Sequence, residues 1–233
     1  MSEKRKLTYK DRSEYKGDTV DGKAHGKGKM VYAKGVFYEG DFADGERHGK
    51  GKYTDKHGVY EGDWVDGKRH GKGRLTDKHG VYEGDWADGK RHGKGKYTDY
   101  KWGVYEGDFV EEKWHGKGNF SSEGFVYEGD FVYGVLHGKG KMAYADGDIY
   151  EGDFENGDLT GKGKETYANG DVYEGDFADG ERHGRGKYTH VNGNFYEGDW
   201  AHGSPNGKGK MIFLDGDIKD GNWKDGEFVG ENN

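Results

Sequence analysis

Apolar and polar residues alternate in two short segments that recur along the whole chain. In residues 38–42, YEGDF, every second position is aromatic or glycine, and the positions between are acidic. In residues 49–53, GKGKY, lysines alternate with glycines and a tyrosine. Side chains of a β-strand point alternately to opposite faces of the sheet. Each segment therefore predicts a strand with one face of aromatics and glycines and one charged face.

The connection between the two segments predicts a β-hairpin. Asp44-Gly45 lies between them, and Asp-Gly is a strong signal for a two-residue hairpin turn. With this dipeptide at the tip of an uninterrupted ladder, we expect Tyr38 opposite Gly51 and Glu39 opposite Lys50. An aromatic ring would then cover a bare glycine and offset part of the cost of glycine in a strand. The exposed acid–base pair would contribute only about 0–1 kcal/mol and would chiefly fix the register.

The hairpin recurs ten times, in steps of 22 or 23 residues. Glycine always stands two and eleven residues after an anchor tyrosine, and an aromatic stands four after it except at Thr19. Such a fixed period is typical of repeat proteins, in which each unit contacts only its neighbours. The anchor positions are Tyr15, Tyr38, Tyr60, Tyr82, Tyr105, Tyr127, Tyr150, Tyr173, Tyr196 and, in the tenth copy, Lys219.

The period and the hairpin together predict the fold class. Each repeat supplies two strands, so we expect an all-β protein built as an elongated, single-layer antiparallel sheet of about twenty strands. Residues 6–9 align with the second strand of a repeat, so residues 1–14 are interpreted as an N-terminal half-repeat that caps the sheet. Residues 15–233 are interpreted as the repeat array, with its last copy incomplete.

Composition and charge narrow the range of functions. Only 30% of the residues are hydrophobic and 35% are charged, which is too little apolar material for a large enclosed core. The 18 Tyr, 11 Phe and 6 Trp nevertheless argue against disorder. The net charge of −8 argues against nucleic-acid binding. Cysteine is absent, so disulfides and thiolate metal sites are excluded. The N-terminus leads into no apolar segment, so we expect a cytoplasmic protein.

The motif YEGDF followed by HGKG is very similar to the MORN (membrane occupation and recognition nexus) repeat, and the similarity covers residues 15–232. This resemblance implies hairpins joined into a twisted single-layer sheet with a groove along one face. It also implies a non-enzymatic scaffold that binds proteins in cytoskeletal, ciliary or membrane-associated assemblies and in some cases associates with itself. The departures from the motif are Thr19, Glu112, Thr160, Asn206 and Lys219.

Candidate chemistry in the repeat has simpler structural explanations. Histidine recurs before the glycine of HGKG, but equivalent residues lie two strands apart, roughly 9–10 Å. Ligands of one zinc ion lie about 2 Å from it, so this ladder cannot share ions. Asp146–Asp148 fails the spacing of a calcium loop, and Gly45–Gly51 fails that of a phosphate-binding loop. Because every acid and histidine belongs to the repeat, we predict no catalytic residue, cofactor or metal site.

The repeat is least regular between residues 100 and 136, where apolar residues occupy hairpin ends and connectors. Apolar turns on a scaffold need a reason. Either they pack on their neighbours, or they form a central apolar patch that docks a partner. A second irregular stretch, Met211–Leu214, is either an end cap or a sheet edge that pairs with a second copy as a homodimer. The candidate partner-binding residues are Trp102, Trp114, Phe125, Tyr133 and Leu136.

The sequence favours a protein-interaction scaffold that binds a partner segment along the aromatic groove or at the central apolar patch. The alternative is a peripheral membrane module that binds acidic phospholipids through its lysine-bearing face. The net charge of −8, with an acid beside each lysine, weighs against this alternative. We expect the scaffold to act in the cytoplasm, in a cytoskeletal or ciliary assembly.

Overall fold

The computed structural model describes residues 3–231, and these residues form strands and turns without a helix. The predicted all-β hairpin architecture is confirmed. The chain divides into two compact units, residues 1–114 and 115–233. The terminal residues of the two predicted domains, 1–2 and 232–233, lie outside the described part of the chain.

The first unit is an antiparallel sheet in which every strand pairs with its neighbours in sequence. The first strand pairs with the second strand in the register that joins one repeat to the next. Leu7 lies opposite Tyr15, as Met30 lies opposite Tyr38. The strands are β1 (Glu3–Thr8), β2 (Glu14–Val20), β3 (Lys23–Ala33), β4 (Val36–Ala43), β5 (Glu46–Asp55), β6 (Gly58–Val65), β7 (Lys68–Asp77), β8 (Gly80–Ala87), β9 (Lys90–Asp99) and β10 (Gly103–Val110).

The second unit repeats this arrangement, and its strands also pair in sequence order. Its first strand begins two residues before the boundary between the units. The strands are β11 (Lys113–Ser121), β12 (Phe125–Val132), β13 (Val135–Tyr144), β14 (Ile149–Glu155), β15 (Asp158–Thr166), β16 (Val172–Ala178), β17 (Glu181–Thr189), β18 (Phe195–Ala201), β19 (Ser204–Ile212), β20 (Ile218–Lys224) and β21 (Glu227–Glu231).

The hairpin tips form as the sequence predicts. Asp44 and Gly45 have φ values of +50° and +96°, and Ala43 lies opposite Glu46. Two consecutive residues with positive φ are the mark of a type I′ turn, whose twist suits a β-hairpin. The Asp-Gly signal therefore identified the tip correctly.

The register beyond the tip differs from the prediction, because each hairpin contains a bulge. Gly49 and Lys50 have no partner in β4, so the ladder slips by two residues. Tyr38 lies opposite Tyr53 rather than Gly51. The predicted pairing is wrong because it assumed an uninterrupted ladder, whereas Gly49 adopts a left-handed conformation with φ +56° and starts a bulge.

The same slip changes the charged pairs. Glu39 lies opposite Lys52 rather than the predicted Lys50, and its carboxylate forms an ion pair with Lys29 of the preceding hairpin at 3.0 Å. The alternation of acids and bases therefore holds, but it links hairpins as well as the strands within one. We call this surface, which carries the acids and lysines of the motif, the charged face.

Glycines face glycines along the sheet, and tyrosine rings lie over them. Gly40 lies opposite Gly51, and Gly51 opposite Gly62. A Cβ atom added to Gly51 would overlap the ring of Tyr38. The predicted cover of glycine by an aromatic ring is thus present, although the ring reaches Gly51 diagonally. We call this surface, which carries the anchor tyrosines and the aromatics four residues later, the aromatic face.

The anchor tyrosine closes the bulge from the aromatic face. The hydroxyl of Tyr38 donates to the carbonyl of Asp41 at 2.9 Å and lies 3.1 Å from the carbonyl of His48. From the charged face, the carboxylate of Asp41 accepts the backbone N–H of Lys50 at 3.0 Å. The bulge therefore leaves few backbone groups unsatisfied, which explains why tyrosine and aspartate recur together in the motif.

Ring-to-ring contacts join successive repeats. The ring of Tyr38 meets Phe42 of its own repeat at 5.0 Å and Trp64 of the next at 5.3 Å, both edge to face. Tyr60 continues the series with Trp64 at 5.1 Å. Tyr38 and Tyr60 are fully buried although the sheet has one layer. Because each such pair contributes about 0.5–1.5 kcal/mol beyond burial, these rings are the core of the protein.

The glycine row can be tested with one added methyl group. At Gly129 a Cβ atom would lie 2.5 Å from the Tyr127 hydroxyl and 2.6 Å from the Gly140 Cα. Because neither neighbour can retreat without breaking the sheet, Gly129→Ala should cost about 1–3 kcal/mol of unfolding free energy. The control is Gly124→Ala, where the added Cβ has no neighbour within 4 Å. Equal thermal unfolding midpoints for the two variants would contradict the ring-over-glycine arrangement.

Tyrosine ionisation gives a second prediction. Burial raises the pKa of Tyr15, Tyr127 and Tyr196 to about 12, from a model-peptide value of 10.0. Above pH 10 the unfolded chain loses phenolic protons that the folded chain retains, so the unfolding free energy falls as pH rises. Stability should be fully present below pH 10 and should fall steeply between pH 10 and about 12. Urea unfolding at a series of pH values, followed by circular dichroism, measures this loss of stability. An unchanged urea midpoint between pH 10 and about 12 would refute the prediction.

Candidate functional site

Arginines lie on the aromatic face of the first unit. Arg69 is opposite Trp64, so its side chain emerges on the same face as the rings. Arg47 and Arg91 occupy the equivalent place in the neighbouring repeats, nine residues after the anchor. Successive arginines are two strands apart, roughly 9–10 Å. Across all repeats this ninth position holds Ala24, Arg47, Arg69, Arg91, Trp114, Leu136, Leu159, Arg182, Pro205 and Phe228.

The guanidinium groups lie over aromatic rings. The Arg47 group is 4.3 Å from the centre of the Trp64 ring. That of Arg69 is 4.9 Å from Tyr60 and 5.1 Å from Trp86. Each contact of this kind contributes roughly 0.5–2 kcal/mol. Burial against the rings lowers the pKa of Arg69. The negative charges of Asp55 and Glu112 oppose this shift, and the positive charge of Arg47 adds to it as the smallest of these effects.

Two arginines of the aromatic face have a carboxylate partner within the chain. The Glu112 carboxylate accepts from Arg91 Nε at 2.6 Å and from the Arg91 backbone N–H at 2.8 Å. In the second unit, Arg182 lies 3.8 Å from the carboxylate of Glu165. A carboxylate therefore fits beside an arginine on this face in both units.

The other two arginines have no carboxylate partner. Arg47 donates to the backbone carbonyl of Gly67 at 2.7 Å. Within residues 3–231, the Arg69 side chain makes neither a hydrogen bond nor an ion pair. Half-buried charged groups are usually paired, whereas these two guanidinium groups have no carboxylate in direct contact within residues 3–231.

Glu112 occupies a position that normally suits glycine. It stands where other repeats have the glycine of the turn, and its φ is +75°. A residue with a side chain is disfavoured in this left-handed region. The sequence identified Glu112 as a departure from the motif but did not reveal its pairing with Arg91, because that contact joins adjacent hairpin tips 21 residues apart.

Glu165 in the second unit is a functional candidate that the sequence reasoning missed. Its residue exposure is 6%, whereas the equivalent position in the other complete repeats holds Tyr, Leu, Phe or Met. Tyr150 and Tyr167 lie beside it, and burial together with hydrogen bonding to Glu165 raises the pKa of both tyrosines. Alignment of the repeats would have shown it as the one acid in an apolar column.

A groove of about 670 Å³ lies on the charged face of the second unit. Glycine backbone forms its floor, and basic side chains of its walls are held in ion pairs, such as Lys162 with Asp176 at 2.6 Å and Lys164 with Glu174 at 3.0 Å. This groove lies on the face opposite to the predicted aromatic groove, so partner binding along an aromatic groove stays a prediction. Its charged walls are Glu151, Lys162, Lys164, Glu174, Arg185, Lys187 and Glu197.

Two of the five predicted partner-binding residues belong to the first unit, at opposite ends of β10. Trp102 lies in the turn before this strand and is 65% exposed. Trp114 follows the hairpin turn, and its ring stacks on Tyr105 at 4.4 Å with an interplanar angle of 6°. The structure therefore does not bring these two tryptophans together.

The other three predicted residues belong to the second unit. Phe125 begins β12 and packs 5.9 Å from Tyr144. Tyr133 lies at the opposite end of that strand, in the hairpin tip, and is 58% exposed. Leu136 is opposite Phe131, close to the same tip. Only Tyr133 and Leu136 share one end of a hairpin, and partner binding by all five residues stays a prediction.

Among residues 3–231, no three His, Cys, Asp or Glu side chains are grouped in a way that could hold a metal ion. The same stretch has no helix with the length and apolar character needed to cross a bilayer.

Two solved structures show limited similarity to the chain. The TCP domain of SAS-4 from Drosophila melanogaster, in complex with a proline-rich motif of Ana2, is 11% identical over 66% of this chain and 85% of that one, with a TM-score of 0.41. A streptogramin B lyase is 10% identical over 95% of this chain and 83% of that one, with a TM-score of 0.15. Both similarities are too weak to indicate a function. No curated protein matches the sequence.

Nine stretches of the chain match the MORN repeat family, and each begins at one of the nine anchor tyrosines. The tenth copy, from Lys219, lies beyond them. The matched residues are 15–37, 38–58, 60–80, 82–104, 105–123, 127–149, 150–172, 173–195 and 196–218. The matches cover most of the chain, and the strands follow the repeat throughout the described residues; the chain therefore belongs to the MORN repeat family.

Proposed function

We propose that this chain is a non-enzymatic protein-interaction scaffold whose aromatic face binds an extended segment of a partner protein. MORN repeats are protein- and membrane-interaction modules, which supports a binding role in general. The observation that supports this particular surface is its composition: half-buried tyrosines and arginines lie side by side on one face of the first unit. Tyrosine, tryptophan and arginine dominate the binding energy of protein interfaces.

The single layer supports the proposal. Every described strand of the first unit belongs to its sheet, so none of them covers the aromatic face as a second layer. Tyr53 packs 6.2 Å from the Trp64 ring, and Tyr97 lies 5.2 Å from the Arg91 guanidinium. Both tyrosines keep part of their surface in solvent. A partner segment can bury that surface without any rearrangement of the sheet.

The charged face is less suited to binding acidic phospholipids. Lys72 forms an ion pair with Asp85 at 2.6 Å, and Lys52 with Glu61 at 2.6 Å. Each lysine of these ladders therefore carries its counter-charge with it, and the chain has a net charge of −8. Attraction to an acidic membrane needs an excess of basic residues at the surface.

The aromatic face can be tested with the double substitution Tyr53→Ala and Tyr97→Ala. Truncation of interface anchors typically costs about 2 kcal/mol or more, roughly thirtyfold in affinity, so partners captured by the wild type should be lost. The matched control is Lys52→Ala with Lys96→Ala, on the same strands but on the charged face. The measurement is quantitative mass spectrometry of pulled-down proteins, then titration of the purified partner.

The outcomes of that experiment separate the functions. Circular dichroism first establishes that both double variants keep the sheet. Retention of every partner by the folded tyrosine variant would refute the aromatic face as the binding surface. Co-sedimentation with vesicles of acidic phospholipid, reduced by the lysine variant and not by the tyrosine variant, would point to membrane binding instead.

The exposed residues of the central region are tested separately. Trp102 in the first unit and Tyr133 in the second are each more than half exposed, and we propose that each makes a separate partner contact outside the aromatic face. Trp102→Ala and Tyr133→Ala should each weaken binding of the purified partner. Each should leave the free energy of unfolding within about 0.5 kcal/mol of the wild-type value. Unchanged affinity in both variants would show that these side chains only pack on their neighbours.

A further inference from the structure

Arg69 is a half-buried charged group whose only close side-chain contacts within residues 3–231 are with aromatic rings. Its guanidinium is half-buried against Tyr60 and Trp86, and no carboxylate within residues 3–231 contacts it. Arg47, its neighbour on the same face, likewise lacks an ion pair within this part of the chain. More distant carboxylates of the chain act on Arg69 without contacting it, and the like charge of Arg47 opposes that of Arg69. An external anion would relieve both the desolvation and the repulsion.

The next repeat shows which anion fits. There the carboxylate of Glu112 bridges Arg91 Nε and the Arg91 backbone N–H, at 2.6 and 2.8 Å. Glu112 reaches this place from a turn position where other repeats have glycine. A carboxylate from outside the chain can take the equivalent place beside Arg69, where the turn residue is Gly89 and offers no side chain.

We propose that the aromatic face of the first unit binds an acidic, extended segment of a partner protein, with a carboxylate of that segment on Arg69 and a second one on Arg47. This inference rests on the proposed function and adds the chemistry of the partner. Arg91 already holds Glu112, so its place is occupied by the chain's own carboxylate.

The spacing of the arginines sets the spacing of the acids. Arg47 and Arg69 lie on β5 and β7, two strands apart, which corresponds to roughly 9–10 Å. An extended polyproline-II segment advances about 3.1 Å per residue and returns to the same side every third residue. Acidic residues at every third position of a segment that crosses the strands would therefore meet successive arginines, with the residues between them on the tyrosine rings.

A carboxylate-bearing peptide suits this site better than a lipid headgroup. The arginines lie among rings on the face of the sheet, and Glu112 and Glu165 show that a carboxylate fits beside such an arginine. A peptide can follow the row of rings and contribute apolar side chains as well as acids. Binding to acidic vesicles is the competing outcome of the test.

The test is fluorescence anisotropy with the full chain and a labelled synthetic peptide that has glutamate at every third position. The control peptide has glutamine at those positions. Arg69→Gln should weaken binding of the glutamate peptide by about tenfold or more, because hydrogen bonds to charged groups are strong in partly buried sites. Lys68→Gln, which removes the same charge from the adjacent residue on the other face, should change it by less than about twofold.

A third variant should strengthen binding. Glu112→Gln removes the carboxylate that occupies Arg91, so a third arginine becomes available to the peptide, and affinity should rise by about threefold or more. This variant keeps the interaction surface intact, so it tests the inference even if Arg69→Gln lowers stability. Circular dichroism and thermal unfolding establish that each variant is folded.

Several results would overturn the inference. Equal affinity for the glutamate and glutamine peptides would show that these arginines do not bind carboxylates. So would an unchanged affinity for the glutamate peptide in both the Arg69→Gln and the Glu112→Gln variant. Binding to vesicles of acidic phospholipid that depends on Arg69, without peptide binding, would assign the site to lipid. If partners are still lost on Tyr53→Ala with Tyr97→Ala in these cases, the scaffold function stands and only the acidic chemistry fails.

Discussion

The structure depends on one hydrogen bond that recurs with the repeat, from the anchor tyrosine hydroxyl to a carbonyl beside the bulge. For Tyr38 to reach the Asp41 carbonyl, its ring must lie flat along the sheet, and only glycine leaves room beneath it. The same geometry turns the ring edge toward the aromatics of its own and the next repeat. The glycine row, the bulge and the coupling between repeats are thus consequences of how one side chain is placed. A single-layer sheet acquires a core because the rings bury one another.

The seventh repeat shows what happens when this arrangement is lost. Tyr150 is only partly buried, and Leu159 and Phe177 cover the glycines that other anchor rings cover. Leu159, which stands where the first unit has arginines, is buried at 4% exposure. The released tyrosine lies beside the buried Glu165 instead. In this repeat Leu159 and Phe177 together take the place of the anchor ring, and the sheet continues across the change.

The sequence was sufficient for the features that depend on local chemistry. The alternation of apolar and charged residues predicted the two faces of the sheet. Asp44-Gly45 predicted the hairpin turn, and the 22- or 23-residue period predicted the strand order. The register could not be predicted from the sequence. The bulge arises from the left-handed conformation of Gly49 and from hydrogen bonds of Tyr38 that form only across strands. The sequence shows the arginines beside the histidines. It does not show that their guanidinium groups contact rings, because a hairpin end is expected to lie in solvent. The pairing of Arg91 with Glu112 depends on how neighbouring tips approach each other, which no single repeat specifies.

Recognition in such an array must come from positions that the fold leaves free. Tyrosine, glycine and aspartate at their places in the motif each make contacts that the bulge requires, so their variation is constrained. The ninth position accepts residues as different as Ala24, Arg69 and Leu136 within the same register. It lies on the rings without being part of their hydrogen bonding, so a change there alters the surface without disturbing the sheet. A row of such positions, one per repeat, lets an invariant scaffold present a specific series of charges and apolar groups to a partner.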